Sequence, residues 1–418
     1  MPSPDPRLSV LRAVWHCLAG PADLQEALDR ELQAVVDARD RGLITEMAYG
    51  YLRCKGRIDF KLGLFLDKPE KLPFKLRILL GLAAYELHFL DRVPDYATVS
   101  RAVELAKQFF GPRMSGLVNA VLRKIKGLDM HSIKEFAGDD PDELLLWSRF
   151  YSCPLWIVRM WKKTYGRELC LKYLRQGLEK PPLGIRELRP EAGVSIPDSQ
   201  VMLRMGRSIL VNPEWPGLNE FLARGGGAVQ SFAGQQALHE LGMTSWTGPV
   251  WDMCAGSGGK TLLMLDHGLE VYSSDVSLKR LKNLSRFRTA YGRSAKVFRA
   301  SGIFPPLKNK PGTILVDAPC TGLGVLSRRP DIKWKRRPGD VKRLVQIQTG
   351  LLDSAARSIQ MPGRVVYLTC TLSRLENQGQ VDGFLARHKD FVLERIFETE
   401  TGLELNESFF GAVFKRIS

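Results

Sequence analysis

Apolar residues recur at intervals of three and four through the first 130 positions. LRAVWHCLAG, ALDRELQAVVDARDRGLITEMAYGYLRC, FKLRILLGLAAYELHFL and VSRAVELAKQFF all carry that spacing, which lines one face of a helix with apolar side chains. Pro94, Gly111 and Pro112 mark breaks between helices. The most apolar run, Ile78 to Leu90, is interrupted by Glu86 and His88. It is shorter than the roughly 20 residues a membrane span needs, and a buried helix is expected there. An all-helical region to residue 135 is predicted.

The pattern loosens over 136–228. SCPLWIVRMWKKTYGRELCLKYLRQGL reads as helix, whereas PPLGIRELRP and PDSQVMLRMGRSILV read as short strands and turns. Gly225, Gly226 and Gly227 suggest a loop before the next module. From about residue 240 short apolar runs alternate with helical segments: GPVWDMC, LEVYSSD, KVFRAS, TILVDAPC, RVVYLTC and SFFGAVFKRI. That alternation predicts a doubly wound α/β sheet over 229–418.

A chain of 418 residues fits two or three domains. The net charge of +16 points to a polyanionic partner, most often nucleic acid. Seven cysteines without a CxxC pair indicate neither a disulfide framework nor a zinc site. Reduced thiols follow, with Cys17, Cys54, Cys153 and Cys170 as core residues. The first ten residues lack a basic stretch followed by an apolar one, so a cytoplasmic protein is expected.

The chemistry gathers at the ends of the predicted strands. In VWDMCAGSGGKT a strand ends at Asp252, and Gly256, Gly258 and Gly259 follow before a helix. Such a turn lets the backbone approach a ligand closely. Asp275 closes the next strand, where an acid commonly binds ribose hydroxyls, so a nucleoside-containing cofactor fits. GSGGKT also resembles the end of a phosphate-binding loop, but that motif needs glycine where Cys254 stands. TILVDAPCTGLG sets Asp317 and Cys320 at one strand end, and RVVYLTCTL sets Cys370 at another. Ligands of open α/β sheets collect at such carboxyl ends, so both thiols and the carboxylate are expected beside the cofactor. An RNA-dependent NTPase and a non-catalytic RNA-binding or ribosome assembly factor are the competing readings.

DMCAGSGGKT, DAPCTGLG, RRPDIKWKRRPGDVKRLVQIQTGLLDSAA, TCTLSRLEN and ESFFGAVFKR together resemble the Sun/RsmB family of cytosine-C5 methyltransferases, which act on bacterial 16S ribosomal RNA. AYGYLR, LGLAAYELHFLDRVPDYATVSRAVELAK and GLVNAVLRKI are similar to the NusB-like domain in front of the catalytic domain in that family. The resemblance covers almost the whole chain. It implies a NusB-like RNA-binding domain over 1–135, a mixed α/β connector over 136–228 and a Rossmann-like methyltransferase domain over 229–418. It departs from the family at Ala255-Gly256-Ser257 in the glycine turn, at Ser231 and Ser301 where acids are usual, and at Thr371.

By the family pattern Cys370 is the nucleophile, Asp317 binds the cytosine edge and Cys320 assists release of the methylated base. S-adenosylmethionine is the implied cofactor. Cys254, Ala255, Gly256, Ser257, Gly258, Gly259 and Lys260 with Asp275 would hold it, and Asp317 borders both sites. Lys260 is expected to favour the thiolate of Cys370. Arg328, Arg329, Lys333, Lys335, Arg336 and Arg337, with Trp334 among them, are expected to hold phosphates and stack a base. Ribosomal RNA is the expected partner, with no metal, no membrane and a monomeric protein.

Overall fold

Aspartates start the first three helices. Asp5, Asp23 and Asp37 accept hydrogen bonds from the backbone N–H groups of Arg7, Glu26 and Arg39, which satisfies donors that have no partner inside a helix. The structure, a computed structural model, describes residues 5–91, 93–188, 195–290, 295–399 and 405–418. It divides into two units, Met1–Glu179 with Leu326–Arg336, and Lys180–Val325 with Arg337–Ser418.

The first unit is helical: α1 Pro6–Ala19, α2 Leu24–Leu32, α3 Ala38–Gly63, α4 Phe74–Phe89, α5 Asp95–Phe110, α6 Pro112–Ile125, α7 Glu143–Phe150 and α8 Leu155–Gln176. The predicted breaks have a local cause. Pro94 precedes α5, Gly111 ends it at φ 83°, and Pro112 opens α6, where its missing N–H costs nothing. The helix predicted around Ile78 is α4, and its Glu86 is buried in an ion pair with Arg7 at 2.6 Å.

The second unit holds two sheets. A four-stranded antiparallel sheet is ordered β2-β3-β1-β4, from β1 Leu183–Glu187, β2 Val201–Met205, β3 Ser208–Val211 and β4 Gly227–Val229, with α9 Leu218–Ala223. Gly227 thus lies in a strand and not in the expected loop. A side chain at Gly226 or Gly227 would collide with the Phe221 ring.

After α10 Phe232–Glu240 come β5 Val250–Asp252, α11 Gly259–Asp266, β6 Val271–Asp275, α12 Leu278–Ala290, β7 Lys296–Arg299 and β8 Thr313–Asp317. The chain then passes through α13 Ile332–Lys335, which belongs to the helical unit, and returns with α14 Pro338–Ser358, β9 Arg364–Thr369, α15 Gln378–Arg387, β10 Phe391–Glu398 and β11 Phe410–Arg416. The large sheet is ordered β10-β11-β9-β8-β5-β6-β7, parallel except for the pairings of β11 with its neighbours. The predicted Rossmann-like sheet behind an all-helical region is therefore present. Strand β10 escapes the sequence pattern because it is an edge strand with mostly exposed positions, so burial leaves no alternation to read.

Chain order reverses between β5 and β8. That is the switch point where open α/β sheets bind ligands. The small sheet is anchored beside it. Buried Arg186 of β1 pairs with Asp266 of α11 and donates to Gln230 at 2.9 Å, and Gln230 donates to the carbonyl of Gly259 at 3.1 Å.

Candidate active site

The glycine turn follows β5. Gly256 and Gly258 have φ of 56° and 93°, a left-handed conformation that side chains disfavour. Space is open at Gly256, while a side chain at Gly258 would collide with Leu284. Asp275, buried at the end of β6, accepts from Gly256 N at 3.0 Å and Ser277 N at 2.7 Å. A carboxylate offers about four lone pairs, so both oxygens keep capacity for ribose hydroxyls. The open turn, the start of α11 and this anchored acid fit the nucleoside portion of S-adenosylmethionine. Burial, then the charges of Asp252, Asp317 and Asp275, push the Cys254 thiol well up.

Lys260, in the first turn of α11, donates to Asp317 at 2.7 Å, across the switch point from β5 to β8. Burial works against its ammonium, but the Asp317 carboxylate and smaller contributions from Cys370 and Asp252 together raise the Lys260 pKa. The expected grouping of Lys260, Asp317 and Cys370 is therefore electrostatic as well as spatial.

The two predicted cysteines do meet. Their sulfur atoms lie 3.5 Å apart. Parallel pairing of β8 with β9 sets Asp317 opposite Leu368, so both strands end at one level. Beyond them Gly324 N donates to the carbonyl of Cys370 at 3.1 Å. A side chain at Gly324 would strike the carbonyl oxygen of Ser408, which accounts for glycine there. The Cys320 thiol is held well above its ordinary range, first by its hydrogen bond to Cys370, then by burial and the Cys370 charge.

Glu376, within the quoted TCTLSRLEN but given no role from sequence, lies fully buried behind both cysteine turns. Thr321 N and Gln348 Nε2 donate to its Oε1 at 2.8 and 3.1 Å, and Thr321 Oγ1 donates to its Oε2 at 2.5 Å. The sequence signal is an acid close after a cysteine motif, near Arg374.

The positions that depart from the family have local partners. Ser231 caps α10 by accepting from Gly234 N at 3.0 Å and bonds Glu407. Ser301 Oγ accepts from Ile303 N at 3.4 Å.

The basic stretch after the first cysteine motif is a correction. Lys333 is buried and donates to the Arg53 carbonyl at 2.9 Å. The Trp334 indole N–H donates to the Leu52 carbonyl at 2.7 Å, and its ring packs on the helical core. Lys335 donates to the carbonyls of Cys17, Gly20 and Ala22 at 2.8, 3.0 and 2.6 Å. An ammonium has three donors, and here they meet the C-terminal end of α1, where helix carbonyls lack partners and favour positive charge. These three residues hold the helical unit together and are not placed to grip phosphates or stack a base. Arg329 pairs with Asp23 at 2.9 Å, and Arg337 is exposed.

Among the described residues no helix is long and apolar enough to cross a membrane. Comparison with known proteins accords with the geometry. Residues 245–414 match the model of the 16S rRNA methyltransferase RsmB/F family, and residues 5–126 match the NusB family. The chain is 31% identical over 375 residues to the probable ribosomal RNA small subunit methyltransferase B of Bacillus subtilis (strain 168), covering 84% of this chain and 81% of that protein. It is 31% identical over 415 residues to the ribosomal RNA small subunit methyltransferase B of Vibrio cholerae, covering 92% and 90%. The solved structure of PH0851 superposes with a TM-score of 0.79 at 21% identity over 99% of each chain, a likeness of fold. With a NusB family region ahead of a Rossmann-like sheet, and the paired cysteines beyond the ends of β8 and β9, the chain belongs to the RsmB/F family of S-adenosylmethionine-dependent RNA methyltransferases.

Proposed function

We propose that the protein methylates carbon 5 of one cytosine in 16S ribosomal RNA, with Cys370 as the covalent nucleophile. The observation that carries this reading is the pair of thiols 3.5 Å apart, beside the Lys260–Asp317 ion pair. Carbon 5 of cytosine is too weak a nucleophile to react unaided. The Cys370 thiolate adds to carbon 6, and the displaced ring electrons make carbon 5 enamine-like. S-adenosylmethionine supplies the methyl group as a sulfonium electrophile. Asp317, held by Lys260, bonds the cytosine edge. Loss of the carbon-5 proton returns the electrons that expel Cys370, and Cys320 assists that release. The target base must be unpaired or flipped out to reach the thiols.

The charge distribution supports an RNA substrate. No aspartate or glutamate occurs from Val276 to Val316. Lys279, Arg280, Lys282, Arg286, Lys296 and Arg299 are exposed along α12 and β7, and Lys282, Arg286 and Arg299 line one groove. We assign phosphate binding to this face, with the helical region and the 136–228 connector adding to the RNA contact. The names of the relatives and the NusB family match favour small-subunit ribosomal RNA.

The test separates the cysteines. Cys370→Ala should abolish methylation and leave no covalent protein–RNA species. Cys320→Ala should stall as an adduct that survives denaturing electrophoresis and needs both RNA and S-adenosylmethionine. An adduct or normal turnover from Cys370→Ala overturns the roles. Bisulfite sequencing of ribosomal RNA from cells lacking the protein identifies the cytosine.

A further inference from the structure

Catalysis by two thiols needs both sulfurs at one fixed spacing, yet each sits in a turn beyond the end of its strand. The β8–β9 register ends at Asp317 and Leu368, before either cysteine, and beyond it Gly324 N holds the Cys370 carbonyl but nothing in that bond fixes the Cys320 turn. The residue after each cysteine is a threonine, and Thr321 and Thr371 touch hydroxyl to hydroxyl at 2.6 Å. Behind them lies the Glu376 carboxylate. One oxygen accepts from Thr321 N and Gln348 Nε2. The other accepts from Thr321 Oγ1 at 2.5 Å, and Thr371 Oγ1 lies 3.5 Å from it. Gln348 also donates to the Pro319 carbonyl at 3.0 Å, so the first turn is held on both sides of Cys320. The second is held through the neighbouring Asn377, which donates to the Thr371 carbonyl at 2.9 Å and accepts from Thr369 Oγ1 at 2.7 Å. A buried carboxylate is costly unless it is well supplied with donors, and here three close donors from Thr321 and Gln348 converge on it, with the Thr371 hydroxyl linked through Thr321.

We propose that Glu376 is a positioning residue that fixes the distance between Cys320 and Cys370 by tying together the two turns that carry them. It acts through Thr321 and Thr371, whose hydroxyls and backbone it holds. Its negative charge also adds to the forces that keep Cys320 protonated, after the Cys370 hydrogen bond, burial and the Cys370 charge. The proposal rests on the two-cysteine reading for its catalytic consequence, but the spacing itself is testable without RNA or cofactor.

Two measurements on the full-length protein decide it. Diamide accepts the two thiol hydrogens and leaves a Cys320–Cys370 disulfide, whose rate of formation is followed by peptide mass spectrometry. Wild-type protein should crosslink readily. Glu376→Ala should crosslink about tenfold more slowly, because the turns part, and its single-turnover methylation of 16S RNA should fall about a hundredfold with KM for RNA and cofactor retained. Glu376→Gln should recover most of both, since its carbonyl oxygen accepts from Thr321 N and Gln348 while its amide donates to the threonine hydroxyls. Should the alanine variant fail to fold, Thr321→Val removes one tie alone and should give an intermediate loss in both measurements. Wild-type crosslinking by folded Glu376→Ala, or by Thr321→Val where the alanine variant does not fold, overturns the proposal. Slowed crosslinking combined with methylation at the wild-type rate overturns the catalytic consequence instead, and with it the two-thiol reading.

Discussion

Lys260 donates to Asp317 across 2.7 Å, joining the glycine turn after β5 to the strand that leads into Cys320. On the proposed assignment, the cofactor and base sites share this ion pair. A charge held at the cofactor turn also orients the carboxylate assigned to the cytosine.

If the pair acts as a unit, its members are not independent. Lys260→Met and Asp317→Asn should each slow single-turnover methylation strongly, and the double variant should lose much less than the sum. A coupling of about 1–3 kcal/mol is expected for charged groups in direct contact. Additive losses in a double-mutant cycle show that the two residues work separately.

Asp275 is anchored by two backbone donors before any cofactor arrives. Asp275→Ala therefore loses a pre-oriented acceptor for the ribose hydroxyls. S-adenosylmethionine binding measured by calorimetry should weaken by about 1–3 kcal/mol. Unchanged affinity in the folded variant removes Asp275 from the cofactor site.

Asp252 is fully buried in β5, and burial raises its pKa from the ordinary 3.8 to about 7, against the opposing hydrogen bond from Thr261 at 2.6 Å. Its Oδ1 has no hydrogen-bond partner. Between pH 4 and 7 the unfolded chain ionises this group while the native state keeps the proton, so stability falls as pH rises through that window. The full loss is ~4 kcal/mol at most. Asp252→Asn should therefore flatten the fall in melting temperature between pH 4 and 7 and melt higher than wild type at pH 8. An equal slope in both proteins refutes the shift.

The lysines of the two basic regions should behave oppositely. Lys335→Met strands three carbonyls near the end of α1. It should cost about 2–4 kcal/mol of stability, with no change in the salt dependence of RNA binding by the folded fraction. Lys282→Gln with Arg286→Gln should leave the melting temperature unchanged and lower the slope of log affinity against log salt by about 1.4–1.8. A slope that moves with Lys335 and not with the α12 pair reverses the assignment of the RNA surface.

The sequence by itself determined the helical front, the alternation that builds the large sheet, and the strand ends that carry Asp275, Asp317, Cys320 and Cys370. Each is a local signal: periodicity follows from which face of an element is buried, and a glycine turn from backbone angles that side chains disfavour. What Lys333, Trp334 and Lys335 do was decided only by tertiary structure. A lysine in a basic run looks the same in sequence whether it meets a phosphate or the carbonyls at a helix end more than 300 positions earlier. The same holds for Glu376, which reads as an ordinary surface acid until Thr321 and Gln348 converge on it, and for β10, whose exposed edge carries no apolar alternation. The spacing of the two sulfurs is likewise tertiary, because it depends on the parallel register of β8 with β9 and on hydrogen bonds between residues 50 or more positions apart. Local chemistry names the groups. The distances at which they act come from long-range pairing, which no window along the chain contains.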